Sequence, residues 1–301
     1  MASCIGGNKP VIAAPSSGGV FGEEAMKARH EKWMAKHGRT YKDEAEKARR
    51  FQVFKENAKF IDRYNAAGAK KYHLATNEFT DMTNGEFMTK FNGFKPLPSG
   101  AKKLPGFKYE NFTLSDDQQA VDWRQSGAVT GVKNQGGCGQ LVSLSEEQLL
   151  YCDTNDGNNG CSGGNMDRAF RYIMDAGGLA TEDSCVYTGH PAVTISNYQG
   201  VPRGNEMALA SAVANQPVSV GIDGRTFLVI RRRRVHCRQL RHRHDPCGHG
   251  RGVRLDQDGT PYWLLKNSWG TTWGEAGYTK LGRGTGACVI AVDAWYPTTS
   301  A

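Results

Sequence analysis

The chain has 301 residues, 38 basic and 30 acidic, with a net charge of +8, and 39% of its residues are apolar and 23% charged. That balance supports one or two cored domains and excludes a disordered protein. The longest apolar run near the start, residues 11–15, is far too short for a signal-peptide core or a membrane span, so no leader and no membrane partner are expected.

A basic chain invites a nucleic-acid partner. Here the whole excess comes from residues 231–254, with nine arginines and one acid, Asp245; the remainder balances at 29 against 29. The segment has no lysine, no Phe, Tyr or Trp, and no helical periodicity. Nucleic acid is therefore a disfavoured partner, reached only by nonspecific contact through the arginines. Eight cysteines, at 4, 138, 152, 161, 185, 237, 247 and 288, favour disulfides in an oxidising compartment, in tension with the lack of a leader.

In chain order, residues 1–22 are rich in Gly, Ser and Ala and are expected to be disordered. Residues 23–37 carry a helical pattern. A stronger helix is predicted over 43–65, opened by a capping box of Asp43 and Glu46. Arg50, Phe54, Asn57, Ile61 and Asn65 share one face, and Glu46 stands four residues before Arg50, the favourable order for an ion pair. Periodicity alone would make this an ordinary amphipathic surface helix. Residues 96–105 form a Pro/Gly/Lys-rich linker, and residues 114–120 are another polar stretch. Beyond them, helices are predicted over 166–176 and 207–215, and strands over 217–222, 262–265, 277–281 and 289–295. The class is α+β.

Several motifs carry a resemblance. Glu46, Arg50, Phe54, Asn57, Ile61 and Asn65 have the spacing of the propeptide signature of papain-like cysteine peptidases, and Asn77, Phe79 and Asp81 in "TNEFTDMT" match a second propeptide element. "VDWRQSGAVTGVKNQGGCG", "CSGGNMDRAF" and "YWLLKNSWGTTWGEAGY" resemble the mature enzyme, closest to the plant cathepsin L-like branch. Beyond the compositionally disordered N-terminus (1–22), the resemblance implies a propeptide inhibitor domain (23–92), a linker (93–120) and an incomplete two-part peptidase domain (121–301), with a helical part and a β-barrel part.

It also implies peptide-bond hydrolysis by a cysteine thiolate at a helix N-terminus, paired with a histidine. Gln135 matches the oxyanion-hole glutamine, Asn267 the asparagine that orients the histidine, and Trp269 and Trp273 the aromatics that shield it. Alone, Gln135 and Asn267 would read as turn residues and the tryptophans as core. No metal or cofactor is expected.

Three departures stand out. After Cys138-Gly139 the chain continues "QLVSLSEEQLLYC", with neither the second cysteine of the family's C-G-S-C-W pattern nor the central helix that follows it. Cys138 then matches a disulfide cysteine, with Cys161 its expected partner. Cys185 is displaced from the family pattern and is a doubtful partner for Cys152. Finally, "RVHCRQLRHRHDPCGHGRGVR" replaces the hydrophobic β region that bears the catalytic histidine. Read one base forward, codons 233–254 permit "GVFTAGNCGTDMTHAVTAVGYG", which agrees with the family phrase. On that reading the segment is a local frameshift and the missing histidine falls across codons 246 and 247. His236, His242, His244 and His249 are then no metal cluster, and the arginines are expected to loosen the surrounding half.

The expectations are a cysteine endopeptidase family member, inactive as written for want of nucleophile and histidine, whose family acts on protein or peptide substrates in a vacuolar, lysosomal or extracellular compartment. The alternatives are a propeptide-type inhibitor of related cysteine peptidases and a nonspecific nucleic-acid binder.

Overall fold

A computed structural model describes residues 22–67, 73–91, 106–114, 121–133, 144–154, 157–181, 191–222, 230–232, 247–255, 261–284 and 290–299. Helix α1 (Glu23–His37) has Glu23 and Glu24 in its first turn and Lys36 and His37 in its last, charges that complement its dipole. Gly38, at φ 59°, ends it in the left-handed conformation that glycine adopts without penalty. Helix α2 (Glu44–Ala66) starts where the sequence places it, the Asp43 carboxylate accepting from the Glu46 N–H at 2.7 Å. Only this half of the capping box forms: the Glu46 carboxylate turns instead to Arg50 (3.6 Å) and Arg49 (3.3 Å). Met26 and Trp33 of α1 pack on Phe51, Phe54 and Ala58 of α2 in a cluster of their own.

A short strand β1 (His73–Leu74) and helix α3 (Asn84–Phe91) follow. Neither is anticipated above, although α3 opens on a reciprocal capping box, Glu86 N–H to Thr83 Oγ1 (3.1 Å) and Thr83 N–H to Glu86 Oε2 (2.8 Å). Helix α4 (Glu146–Cys152) is also unanticipated and starts on a Ser145 cap. Helices α5 (Met166–Asp175) and α6 (Glu206–Asn215) lie within a residue of expectation. Residues 106–114, expected to be linker, dock Phe107, Tyr109 and Leu114 against the core.

The β part holds β2 (Asn197–Gly200), β3 (Val218–Gly221), β4 (Ile230–Arg232), β5 (Cys247–Leu255), β6 (Pro261–Lys266), β7 (Tyr278–Gly282) and β8 (Ala294–Thr298). An antiparallel six-stranded sheet runs β2-β8-β3-β5-β6-β7, and β4 pairs separately with β1. Strand β8 begins five residues later than predicted, because the described residues just before it form turns. The larger difference is at β5. The arginine-rich stretch, expected to loosen its surroundings, supplies a nine-residue strand between β3 and β6, through pairs such as Val218↔Gly250 and Gly250↔Leu265. Backbone ladder bonds need no particular side chain, and three glycines within the strand reduce what must be packed.

Candidate active site

The signature residues of α2 form a row of clamps on the segment 74–86. The Asn65 amide donates to the Leu74 carbonyl (2.8 Å) and its oxygen accepts the Leu74 N–H (2.9 Å). The Asn57 amide donates to the carbonyls of Thr80 (2.8 Å) and Met82 (3.0 Å). The Arg50 guanidinium donates to the Asp81 carbonyl and to Glu86 Oε2, each at 3.1 Å. Phe54 and Ile61, buried between these polar positions, anchor the same face. The face is thus buried by a loop whose backbone it satisfies, and the surface-helix reading is replaced.

Asn77, Phe79 and Asp81 shape that loop. The Asn77 side chain accepts from the Phe79 N–H (2.9 Å) in a tight Asx turn. The Asn77 carbonyl accepts from Trp33 Nε1 (2.7 Å), and the Asp81 carboxylate accepts from the Tyr41 hydroxyl (2.9 Å). The sequence reading missed Trp33, Tyr41 and Glu86; the Thr-x-x-Glu spacing of 83–86 was the available signal for the last. Thr83, by its backbone N–H first, and then Arg49 and Arg50 hold the Glu86 carboxyl down at about 2. Burial, the largest cause, lowers the imidazoles of His30 and His37 below the usual histidine value.

The loop delivers Phe79, with Phe87 of α3, onto the second half of the chain. Phe87 meets the Trp269 ring edge-on at 5.0 Å between centroids, Phe79 meets it at 6.2 Å, and Trp269 crosses Trp273 at 5.1 Å. Beside them Glu78 Oε1 accepts from the Thr272 hydroxyl (3.2 Å). These contacts place Ile61, Leu74, Phe79, Phe87 and Phe91 in one continuous core with Trp269, Trp273 and the sheet.

Asn267 follows the end of β6, two residues before Trp269, and is buried, with its N–H on the Gly277 carbonyl (2.9 Å) and its side-chain oxygen accepting from the Ser268 N–H (2.8 Å). The turn beyond is tight: Gly274 lies at φ 58°, and a Cβ there would meet the Tyr278 carbonyl oxygen at 2.3 Å. Buried Lys266 donates from Nζ to the Thr130 carbonyl (2.9 Å), and the Gly270 N–H donates to the Lys133 carbonyl (2.8 Å). These bonds dock residues 130–133, two positions short of Gln135, beside Asn267. Gln135 and Cys138 themselves lie outside the described residues. The last ladder pair between β5 and β6, His249↔Lys266, brings the first residues of β5 beside the end of β6 that Asn267 follows. The start of β5, where the frameshift reading puts the missing histidine, is therefore next to the asparagine.

Among the described side chains, histidine occurs only at His30 and His37, both in α1. Cys161 is disulfide-bonded. Cys152 is free and exposed, which removes its tentative pairing with Cys185. It closes the C-terminal end of α4, whereas the resemblance places a nucleophile at a helix N-terminus. Among the described residues no cluster of His, Cys, Asp and Glu could hold a metal ion, and no helix is long and apolar enough to cross a membrane.

Comparison with known proteins agrees with this arrangement. The cathepsin propeptide inhibitor domain (I29) profile matches residues 30–87, and the papain family cysteine protease profile matches residues 139–298. A senescence-specific cysteine protease of Oryza sativa subsp. indica, SAG39, is 43% identical over 316 positions, covering 92% of this chain and 91% of the rice protein. That aligned length exceeds the chain's own 301 residues, so the rice protein has segments without a counterpart here. Ananain of Ananas comosus is 36% identical over 91% of this chain and 88% of its own. The proform of the Amb a 11 cysteine protease, a major ragweed pollen allergen, superposes with a TM-score of 0.80 at 33% identity, over 93% of this chain and 96% of that one. A recombinant stem bromelain precursor superposes at 0.78 with 33% identity, over 92% and 99%. The chain belongs to the papain family of cysteine proteases and carries a cathepsin-type propeptide domain.

Proposed function

We propose that this chain is a papain-family proform without peptidase activity, its propeptide half (23–92) folded over what remains of the catalytic half (121–301). The observation that carries the reading is the stretch from Gly139 to Cys152: it has no cysteine until Cys152, and that thiol sits at the wrong end of a helix. Loss of a catalytic nucleophile alone can cost on the order of a millionfold in rate, and the imidazole expected opposite Asn267 is missing from the sequence as well. Gln135 keeps the oxyanion-hole role by resemblance, and Cys138 is the proposed partner of Cys161. The family acts on proteins, so any residual substrate site is for a peptide, and the propeptide domain implies inhibition within the chain. Passage to a vacuolar, lysosomal or extracellular compartment fits the Cys161 disulfide.

Purified full-length chain is expected to leave a fluorogenic peptide uncut from pH 4 to pH 7 after acid treatment. Hydrolysis blocked by a thiol-alkylating reagent would overturn the reading. A second role, inhibition of related cysteine peptidases by the propeptide half, is favoured by the separate core of α1 and α2. Residues 22–91 added to a cathepsin L-like enzyme should slow it if that role is real. Nucleic-acid binding through the arginines remains the weakest alternative, since part of that stretch is used as sheet. Sequencing the transcript across codons 225–255 tests the frameshift: an uninterrupted frame encoding the arginines, with no insertion or deletion against related genes, argues against it.

A further inference from the structure

The sequon Asn111-Phe112-Thr113 is the one Asn-x-Ser/Thr triplet in the 301 residues. The turn that presents it is held in place. The Glu110 N–H donates to the Phe107 carbonyl and the Phe112 N–H to the Tyr109 carbonyl, each at 3.1 Å. Phe107 and Tyr109 pack on the buried ring of Tyr296, at 6.3 and 5.5 Å between centroids, and Phe112 meets Tyr109 edge-on at 6.3 Å. One further bond fixes the backbone from outside, the Lys108 N–H donating to Gln199 Oε1 (2.9 Å).

With the aromatic residues turned inward, the residues between them face out. Lys108, Glu110, Asn111 and Thr113 are exposed, and neither Asn111 nor Thr113 has a side-chain hydrogen bond among the described residues. The acceptor amide and the hydroxyl two residues on therefore stand free on a rigid surface turn, with room for a bulky hydrated group that would disturb no packing. From this conjunction we infer that Asn111 is an N-linked glycosylation site. In the transfer, Asn111 Nδ2 bonds to the anomeric carbon of an oligosaccharide carried on a lipid pyrophosphate. The bond from that carbon to the pyrophosphate oxygen breaks, the amide gives up one proton, and the lipid pyrophosphate leaves. The glycan would stand at the joint between the propeptide and catalytic halves.

The inference rests on the compartment given under the proposed function, so its test supplies the route independently. The full chain is expressed in a eukaryotic host behind an added secretion signal, and removal of the signal is read by N-terminal sequencing. One glycan is expected, seen as a single mobility step reversed by peptide-N-glycosidase. Asn111→Gln and Thr113→Ala should abolish the step, while Thr113→Ser should retain it. A chain with its signal removed but no glycosidase-sensitive mass, or a glycan that persists in Asn111→Gln, overturns the inference. Native routing is read separately, by whether the chain without the added signal acquires the same glycan.

Discussion

Helix α2 and strand β5 satisfy buried backbone in opposite ways. Along α2, side chains close the ends of someone else's main chain: Asn57, Asn65 and Arg50 reach across to carbonyls of the 74–82 segment. In β5 the main chain closes on the main chains of β3 and β6, and residue identity enters weakly. The first kind of contact is written in particular residues at fixed spacing and is destroyed by altering one of them. The second survives replacement of nearly every side chain, provided that the backbone can still extend and donate. An arginine-rich stretch can therefore hold the place of a hydrophobic strand, whereas an apolar side chain at position 57 would leave both carbonyls without this donor.

The comparison can be broken by measurement. The largest loss is expected for Phe54→Ala, which empties the middle of the α2 face and should cost about 3–5 kcal/mol in denaturant unfolding. Next comes Asn57→Leu. It keeps the branched shape but strands the Thr80 and Met82 carbonyls; roughly 2–4 kcal/mol is expected, from the lower part of the range of about 1–3 per stranded group because both bonds are only part-buried. A cost below 0.5 kcal/mol, typical of a surface change, would show that the clamp is ornamental. In β5, Gly250→Pro removes a ladder donor in mid-sheet and should cost about 1–3 kcal/mol.

The smallest expected effect is a bend in the pH dependence. Burial holds His30 and His37 below the usual histidine value in the folded chain, so the unfolded chain binds more protons as pH falls below about 6.5. Stability from these groups is present above that pH and is lost as pH drops through their folded values. Asp81 and Glu31 oppose the shift at His30, while Lys36 and Arg39 reinforce it at His37. Glu86 acts in a lower window, its contribution being lost from about 4.5 down to about 2. Melting temperatures of His30→Phe between pH 7 and 5 should run flatter than those of the parent. An unchanged slope would assign the loss to other groups.

These physical differences also explain what the sequence could reveal. Helices α1 and α2 were legible to within a residue because caps, dipole-matched charges and the 3.6 period agree there. The clamps were legible only through resemblance, since periodicity cannot tell a polar face that meets water from one that meets carbonyls. Helices α3 and α4 were missed although Thr83 with Glu86 and Ser145 with Gln148 carry their start signals; each helix is at most eight residues long, too short for a period to establish itself. At the site, Asn267 was named and its surroundings were not: the Lys266 bond to Thr130 spans 136 positions of sequence, and no local pattern encodes it. Strand β5 was unreadable because its run Cys-Gly-His-Gly-Arg-Gly-Val-Arg-Leu carries no alternation of apolar and polar residues.

The stacking of Phe79 and Phe87 on Trp269 has a consequence for a chain that has been cut. Scission anywhere in 92–105 removes the tether but leaves the shared aromatic seam, the β1–β4 pairing and the Glu78–Thr272 bond intact. A nicked molecule would accordingly travel as one particle of two fragments, parted by whatever competes for the indole surface rather than by the nick itself.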